Sequence, residues 1–294
     1  MPAIIAASPA DAVRAAFPFE VQKFRLSGPD GLTTPHYGLF RSDDARCVGV
    51  AVRKGYEPHT TDDVCALVEA ASTAFDSQCK VNCYFADGHF VTVAPGDEYR
   101  RNIFGTKDNI WPRMIIRAGY DGRAFRADCG FYRDACRNLA MIRSTGRAVS
   151  GTIRHTAQLR ERMPELVDQF RLIARGWDAV VKAARAMEAR QVNLAEFLRA
   201  VYPEPAETAS QRTRDSHTRR IEAIFSRVYS ERLATGRPQI GRDWMVSAWE
   251  AYNGVQGYVQ HSQRRQGNPS EFGRAVIALE SSETSRALEL ALSA

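Results

Sequence analysis

Apolar and polar positions alternate along much of the first half of the chain, and the alternation predicts strands. Apolar runs at Tyr37–Phe40 and Cys47–Val52 flank Ser42-Asp43-Asp44, a hairpin turn by composition. The period then lengthens. Thr61 reads as an N-cap, Asp62 and Asp63 fill a first helical turn, and Val64, Leu67, Val68, Ala71 and Phe75 recur at helical spacing. Alternation returns in KVNCYFADGHFVTVAPG, a strand, an Asp87-Gly88 turn and a strand. WPRMIIRAGYDGRAFRADCGF repeats it around Asp121-Gly122, with Met114, Ile115 and Ile116 in the buried run. Residues 36–131 therefore read as a meander of five or six antiparallel strands with one helix inserted, behind an N-terminal arm at 1–35.

From Tyr132 the strand signal stops. Tyr132–Arg143 is predicted as a helix with Phe131, Ala135, Leu139 and Ile142 on one face and Arg133 and Arg137 opposite. After a connector, STGRAVSG, Pro164 opens a long amphipathic helix with the stripe Leu166, Phe170, Ile173, Trp177, Val180, Ala184 and Met187. Further helices are predicted at Asn193–Val201, Thr208–Arg232, Asp243–His261 and Ser270–Leu292, separated by YPEPAE, TGRPQIG and QGNPS. The expected fold class is α+β: an antiparallel meander with an inserted helix, then an all-helical half. The expected domains are an arm (1–35), an α+β core (36–163) and a helical region (164–294).

Charge sharpens this layout. The chain of 294 residues is +6 overall. Residues 1–110 carry eleven Lys/Arg against fourteen Asp/Glu, 111–162 carry eleven against four, and the rest carry eighteen against sixteen. The run Cys129–Met163 holds seven arginines, one histidine, two acids and no lysine. Such crowding points to an anionic partner. A 44% apolar and 25% charged composition excludes disorder as the general state, and no run approaches the ~18 apolar residues of a membrane helix. The N-terminus has no basic residue ahead of its short apolar patch. With six unpatterned cysteines, that fits a reducing cytoplasm.

No phosphate loop, dinucleotide-binding glycine pattern, zinc-protease motif or nucleophile elbow occurs, so a non-enzymatic protein without cofactor or metal is expected. Cys79, Cys83 and His89 match what a strand face gives by chance better than a zinc site. Asp121, Asp128 and Asp134 fit turn and salt-bridge roles. Arg133 and Arg137, like Arg143 and Arg147, are spaced one helical turn apart, and Arg154-His155 follows a glycine. The preceding strands add Arg113, Arg117, Arg123 and Arg126 beside Tyr120 and Tyr132. Guanidinium groups donate to phosphate in a planar fork, and rings beside them can stack on bases. The bland alternative is a solvated face over a core. Trp244, Trp249, Tyr252 and Tyr258 read as helix packing or a self-association surface.

Three stretches carry a family resemblance: GYDGRAFRADCGFYRDACRNLAM with Arg133, Cys136, Asn138 and Leu139; IRHT with Arg154, His155 and Thr156; and SAWEAYNGVQGYVQH with Trp249, Asn253, Tyr258 and His261. They resemble the phage- and plasmid-type family called domain of unknown function 932. The chain departs from its usual pattern at Tyr132 and at Asp134-Ala135. The resemblance implies a mobile-element setting and suggests a fold-level comparison with Rad52-like single-strand annealing proteins, which form rings or filaments along DNA. The resulting expectation is single-stranded DNA or RNA binding and strand annealing by a homo-oligomer, with no membrane partner. The alternatives are an interaction protein that meets a host factor in counter-defence, or a metal-dependent nucleic-acid enzyme.

Overall fold

The computed structural model describes residues 8–85, 88–105, 107–120, 122, 124–135, 138–141, 143–144, 147–148, 150–263, 274, 278 and 281–293. The architecture is mixed α+β with antiparallel sheets, in two compact units. The first comprises Met1–Tyr99, Pro112–Gly130 and Arg143–Gly176, and the second Arg100–Trp111, Phe131–Ile142 and Trp177–Ala294.

The first unit opens with a helix that the sequence reading left inside an arm, α1 (Pro9–Ala16). Ser8 caps it and Pro9 supplies its fixed φ. β1 (Val21–Ser27), β2 (Thr33–Arg41) and β3 (Cys47–Val52) form a separate three-stranded antiparallel sheet in that order. The expected hairpin at Ser42-Asp43-Asp44 stands, its turn fastened by Arg41, which donates to both carboxylate oxygens of Asp43. In α2 (Thr61–Phe75) the cap is Thr60, one residue earlier than expected, in a capping box with Asp63. Thr61 instead turns inward, its hydroxyl donating to the carbonyls of Phe17 and Phe19.

A second sheet takes β4 (Lys80–Phe85), β5 (Gly88–Ala94), β7 (Asp108–Gly119), β8 (Phe125–Arg133) and β12 (Ser150–Ile153) in the order 12-8-7-5-4. Val91 lies between Cys83 and Ile116, and the run Phe90, Val91, Val93, Met114, Ile115 and Ile116 is buried. The strands thus belong to two sheets rather than one meander. Asp87 and Asp121, the expected turn residues, lie outside the described residues.

Where a helix was predicted at Tyr132–Arg143, the described residues are strand and turn. β8 continues to Arg133, β9 (Asn138–Met141) pairs with it, and β10 (Arg143–Ser144) pairs with β11 (Arg147–Ala148). Leu139 and Ile142 have helical spacing, but the ladder beside β8 satisfies the backbone and overrides that weak local preference. The following helix, α3 (Leu159–Ala189), starts before Pro164, which lies inside it. Only one N–H is lost there, in the second turn, so the helix tolerates the ring.

The second unit is not all-helical. β6 (Arg101–Phe104) pairs with the start of β7, and β13 (Gln191–Asn193) pairs with β14 (Met245–Ser247), where a helix from Asp243 was predicted. Among the described residues its helices include the end of α3, α4 (Leu194–Val201), α5 (Gln211–Ala234), α6 (Ala248–Gly257) and α7 (Ser282–Ser293), with a π turn at Tyr258–Ser262. α6 is buried along its whole length. Gly254 allows it to lie close to α5, since a Cβ there would meet Val228 at 2.3 Å.

Candidate polyanion-binding surfaces

The arginines of the 129–163 run are divided between the two units. In the second unit Arg133 is 1% exposed and lies in a buried ionic network. Its Nε and Nη2 donate to Asp108 at 2.7 and 2.9 Å, and its Nη1 to Glu231 at 2.8 Å. Arg237 reaches the same Asp108 at 3.0 Å and Glu188 at 2.9 Å, while Arg232 holds Glu250. Burial alone would raise the Asp108 carboxyl, but Arg133 and Arg237 overcome it and hold that group below its ordinary value. A guanidinium whose donors are spent on carboxylates inside a core cannot meet a phosphate, so Arg133 is a structural tie.

In the first unit Arg117 and Arg126 converge on the buried Asp128, at 2.5 and 2.7 Å. Arg113 and Tyr132 are half-buried and Arg154 is exposed. Arg143 stands opposite Ala148 in its ladder, and Arg147 opposite Ser144. Arg123 and Arg137 lie outside the described residues. Of the expected self-association residues, Trp249 and Tyr252 are interior, Trp249 stacking on Phe131 at 5.7 Å. Tyr258 is half-buried, and the exposed Trp244 meets Phe225 edge-on.

Tyr120 and His155 are also interior, beside a histidine cluster that sequence reasoning missed. His59 Nε2 and His89 Nδ1 are 2.8 Å apart, and the Tyr120 hydroxyl donates to the His59 carbonyl at 3.2 Å. The His59 ring stacks on Tyr120 and lies 5.2 Å from that of His155, whose Nδ1 is 3.2 Å from the Glu57 carbonyl oxygen. Burial lowers His89 to about 3, and burial with the neighbouring His89 and His155 puts His59 well below its usual value. Both rings are therefore neutral. Among the described residues no three His, Cys, Asp or Glu side chains are placed to hold a metal ion, and no helix is long and apolar enough to cross a membrane.

A basic surface does exist, on the first half of α5. Residues 211–220, QRTRDSHTRR, carry four arginines against Asp215, whose carboxylate accepts from Gln211 at 2.7 Å. Arg212, Arg214 and Arg219 are exposed. Arg212, Thr213, Ser216, His217 and Arg220 line a groove of about 440 Å³, closed on its other side by Pro203 and Pro205. Arg220 lies over the Tyr202 ring at 4.9 Å, and His217 Nε2 is 3.1 Å from the Tyr202 carbonyl oxygen, which fixes that wall. Arg212 and Arg219 have no carboxylate within ion-pair distance among the described residues. The charge run is visible in the sequence, but the longer run at 129–163, with more arginines in all, takes the assignment.

Searches of curated proteins and of solved structures found no match to the chain. Residues 50–287, most of its length and including both the second sheet and the basic helix, match the family described as a domain of unknown function (DUF932), and the chain belongs to that family.

Proposed function

We propose that the protein binds single-stranded nucleic acid, with phosphate contacts made by exposed arginines rather than by the buried ones of the 129–163 run. The observation that carries this reading is the α5 surface: Arg212 and Arg219 stand in solvent beside a groove lined by a further arginine, with one acid in ten residues. Cations left without carboxylates attract a phosphate chain and release its counterions on contact. Arg154 adds an exposed cation to the first unit. Strand annealing is the activity such binding would serve. Once phosphate repulsion is screened, pairing is downhill and needs no nucleotide. A Rad52-like annealing protein is the fold-level comparison, supported by an antiparallel sheet in a basic chain and opposed by the strands where a helix was expected. Self-association along the strand belongs to the same proposal.

Fluorescence anisotropy with a short labelled oligonucleotide over a salt series tests it. For single strands the logarithm of affinity falls with log salt by about 0.7 per phosphate contact, so Arg212→Ala with Arg219→Ala should lower the slope by about 1.4. An unchanged slope removes this surface from the reading. Failure of the parent protein to bind at low salt overturns the reading itself and favours an acidic protein as partner.

A further inference from the structure

We infer that the outer face of the three-stranded sheet β1-β2-β3 is a stacking platform for unpaired bases; this rests on the nucleic-acid reading and adds to it a site for the bases themselves. Phe24, on edge strand β1, is 51% exposed. Its cross-strand partner is Gly38, and Gln22 faces Phe40 two residues away, so Phe24 and Phe40 share one face. The rings meet edge-to-face with centroids 6.0 Å apart.

Gly38, itself buried, lets side chains close over that part of the face. A Cβ there would lie 2.6 Å from the Phe40 ring and 2.9 Å from Leu26, so the ring leans over bare backbone and Leu26 closes the opposite side. The result is an apolar surface of Phe40 and Leu26 with the half-exposed Phe24 ring edge-on against it, a shape suited to a planar ligand.

Charge decides the class of ligand. Residues 21–55 carry six Lys/Arg against three Asp, and two of those, Asp43 and Asp44, are held by Arg41. Arg46, Arg53 and Lys54 are exposed at the margins of the same small sheet, with Arg25 exposed on its other face. An apolar patch meant for another protein's core has no need of a cationic surround, whereas bases arrive attached to phosphates. Aromatic side chains among cations form the usual single-strand platform, tolerant of sequence because every base has a π face.

The test compares a short thymidine oligonucleotide with an abasic sugar-phosphate strand of the same length, by anisotropy at one salt concentration. The parent protein should favour the thymidine strand by about 5- to 150-fold, the range of one stacked base. Phe24→Ala should abolish that preference and leave the abasic strand's affinity unchanged, while Phe24→Tyr should restore it. Phe24 is half exposed, so the substitution spares the core. Binding of both strands with equal affinity by the parent, or a preference that survives in Phe24→Ala, overturns the platform while the phosphate-binding reading stands. No binding of either strand by the parent removes that reading too. A fall in the mass of the free protein in Phe24→Ala, with the base preference intact, would make the face a contact between copies and overturn the inference.

Discussion

Acid should open the first unit before the second, because that unit buries two neutral histidines. His59 and His89 hydrogen-bond to each other, and Phe17, Phe19, Phe85 and Phe125 surround them. The titratable groups facing them are Tyr120 and His155, with Tyr56, Glu20 and Asp63 behind Tyr120. His89 is lowered to about 3 and His59 well below the usual value, so neither takes a proton in the fold at pH 5. In the unfolded chain each takes one below about 6.5. The sign follows: the stability is complete above about 6.5 and is lost as pH falls toward the depressed folded values. At pH 5 the loss is set almost wholly by the unfolded value, at about 1.4 kcal/mol per pH unit, giving about 2 kcal/mol for each ring and about 4 kcal/mol for the pair. The lowered carboxyls, Asp43, Glu98 and Asp108, contribute mainly below about pH 4.5, and Glu20, raised by burial, takes its proton more readily in the fold and offsets part of the loss, so histidine supplies the main loss between 7 and 5. Trp111, Trp177, Trp244 and Trp249 all fall in the second unit, so tryptophan fluorescence follows that unit. Amide hydrogen exchange at Val91–Val93 in β5 follows the first. The opening free energy in β5 should fall by about 4 kcal/mol between pH 7 and 5, and His59→Phe with His89→Leu should flatten the dependence. A β5 value independent of pH in the parent would refute the reasoning.

Two other outcomes follow from buried groups. Asp108→Asn removes the carboxylate that Arg133 and Arg237 share inside the second unit, leaving two buried cations with Glu231 and Glu188 as their nearest acids. It should lower stability by about 3–5 kcal/mol in a urea titration followed by tryptophan fluorescence; a loss under 1 kcal/mol would mean the network relaxes to water. Cys47 is exposed, whereas burial pushes the Cys65 and Cys83 thiols up to about 11, so peptide mapping after brief alkylation should find label on Cys47 well before those two.

Elements with local signals were legible. The hairpin at Asp43-Asp44 and the helix after Thr60 are written in turn residues, a capping box and spacing, and both lie within a residue of expectation. What depended on distant residues was not. Arg133 finds its acids 25 and 98 positions away, and nothing near it in the chain distinguishes a buried tie from a solvated cation. The segment 138–141 has apolar spacing that suits helix or strand, and pairing with β8 decides. His59, His89 and His155 are scattered in the sequence and gathered by the sheet. The basic half of α5 was legible as a charge run; that Arg212 and Arg219 stand in solvent was not.

Hydrogen exchange with and without a saturating oligonucleotide at low salt addresses most directly whether exposed arginines, not buried ones, meet the phosphate chain. Protection should appear at 207–220 around the α5 groove and at 21–41 across the β1–β2 face, with the amides beside Arg133 unchanged. Protection confined to the strands around Arg117, Arg126 and Arg133, with none on α5, would contradict it.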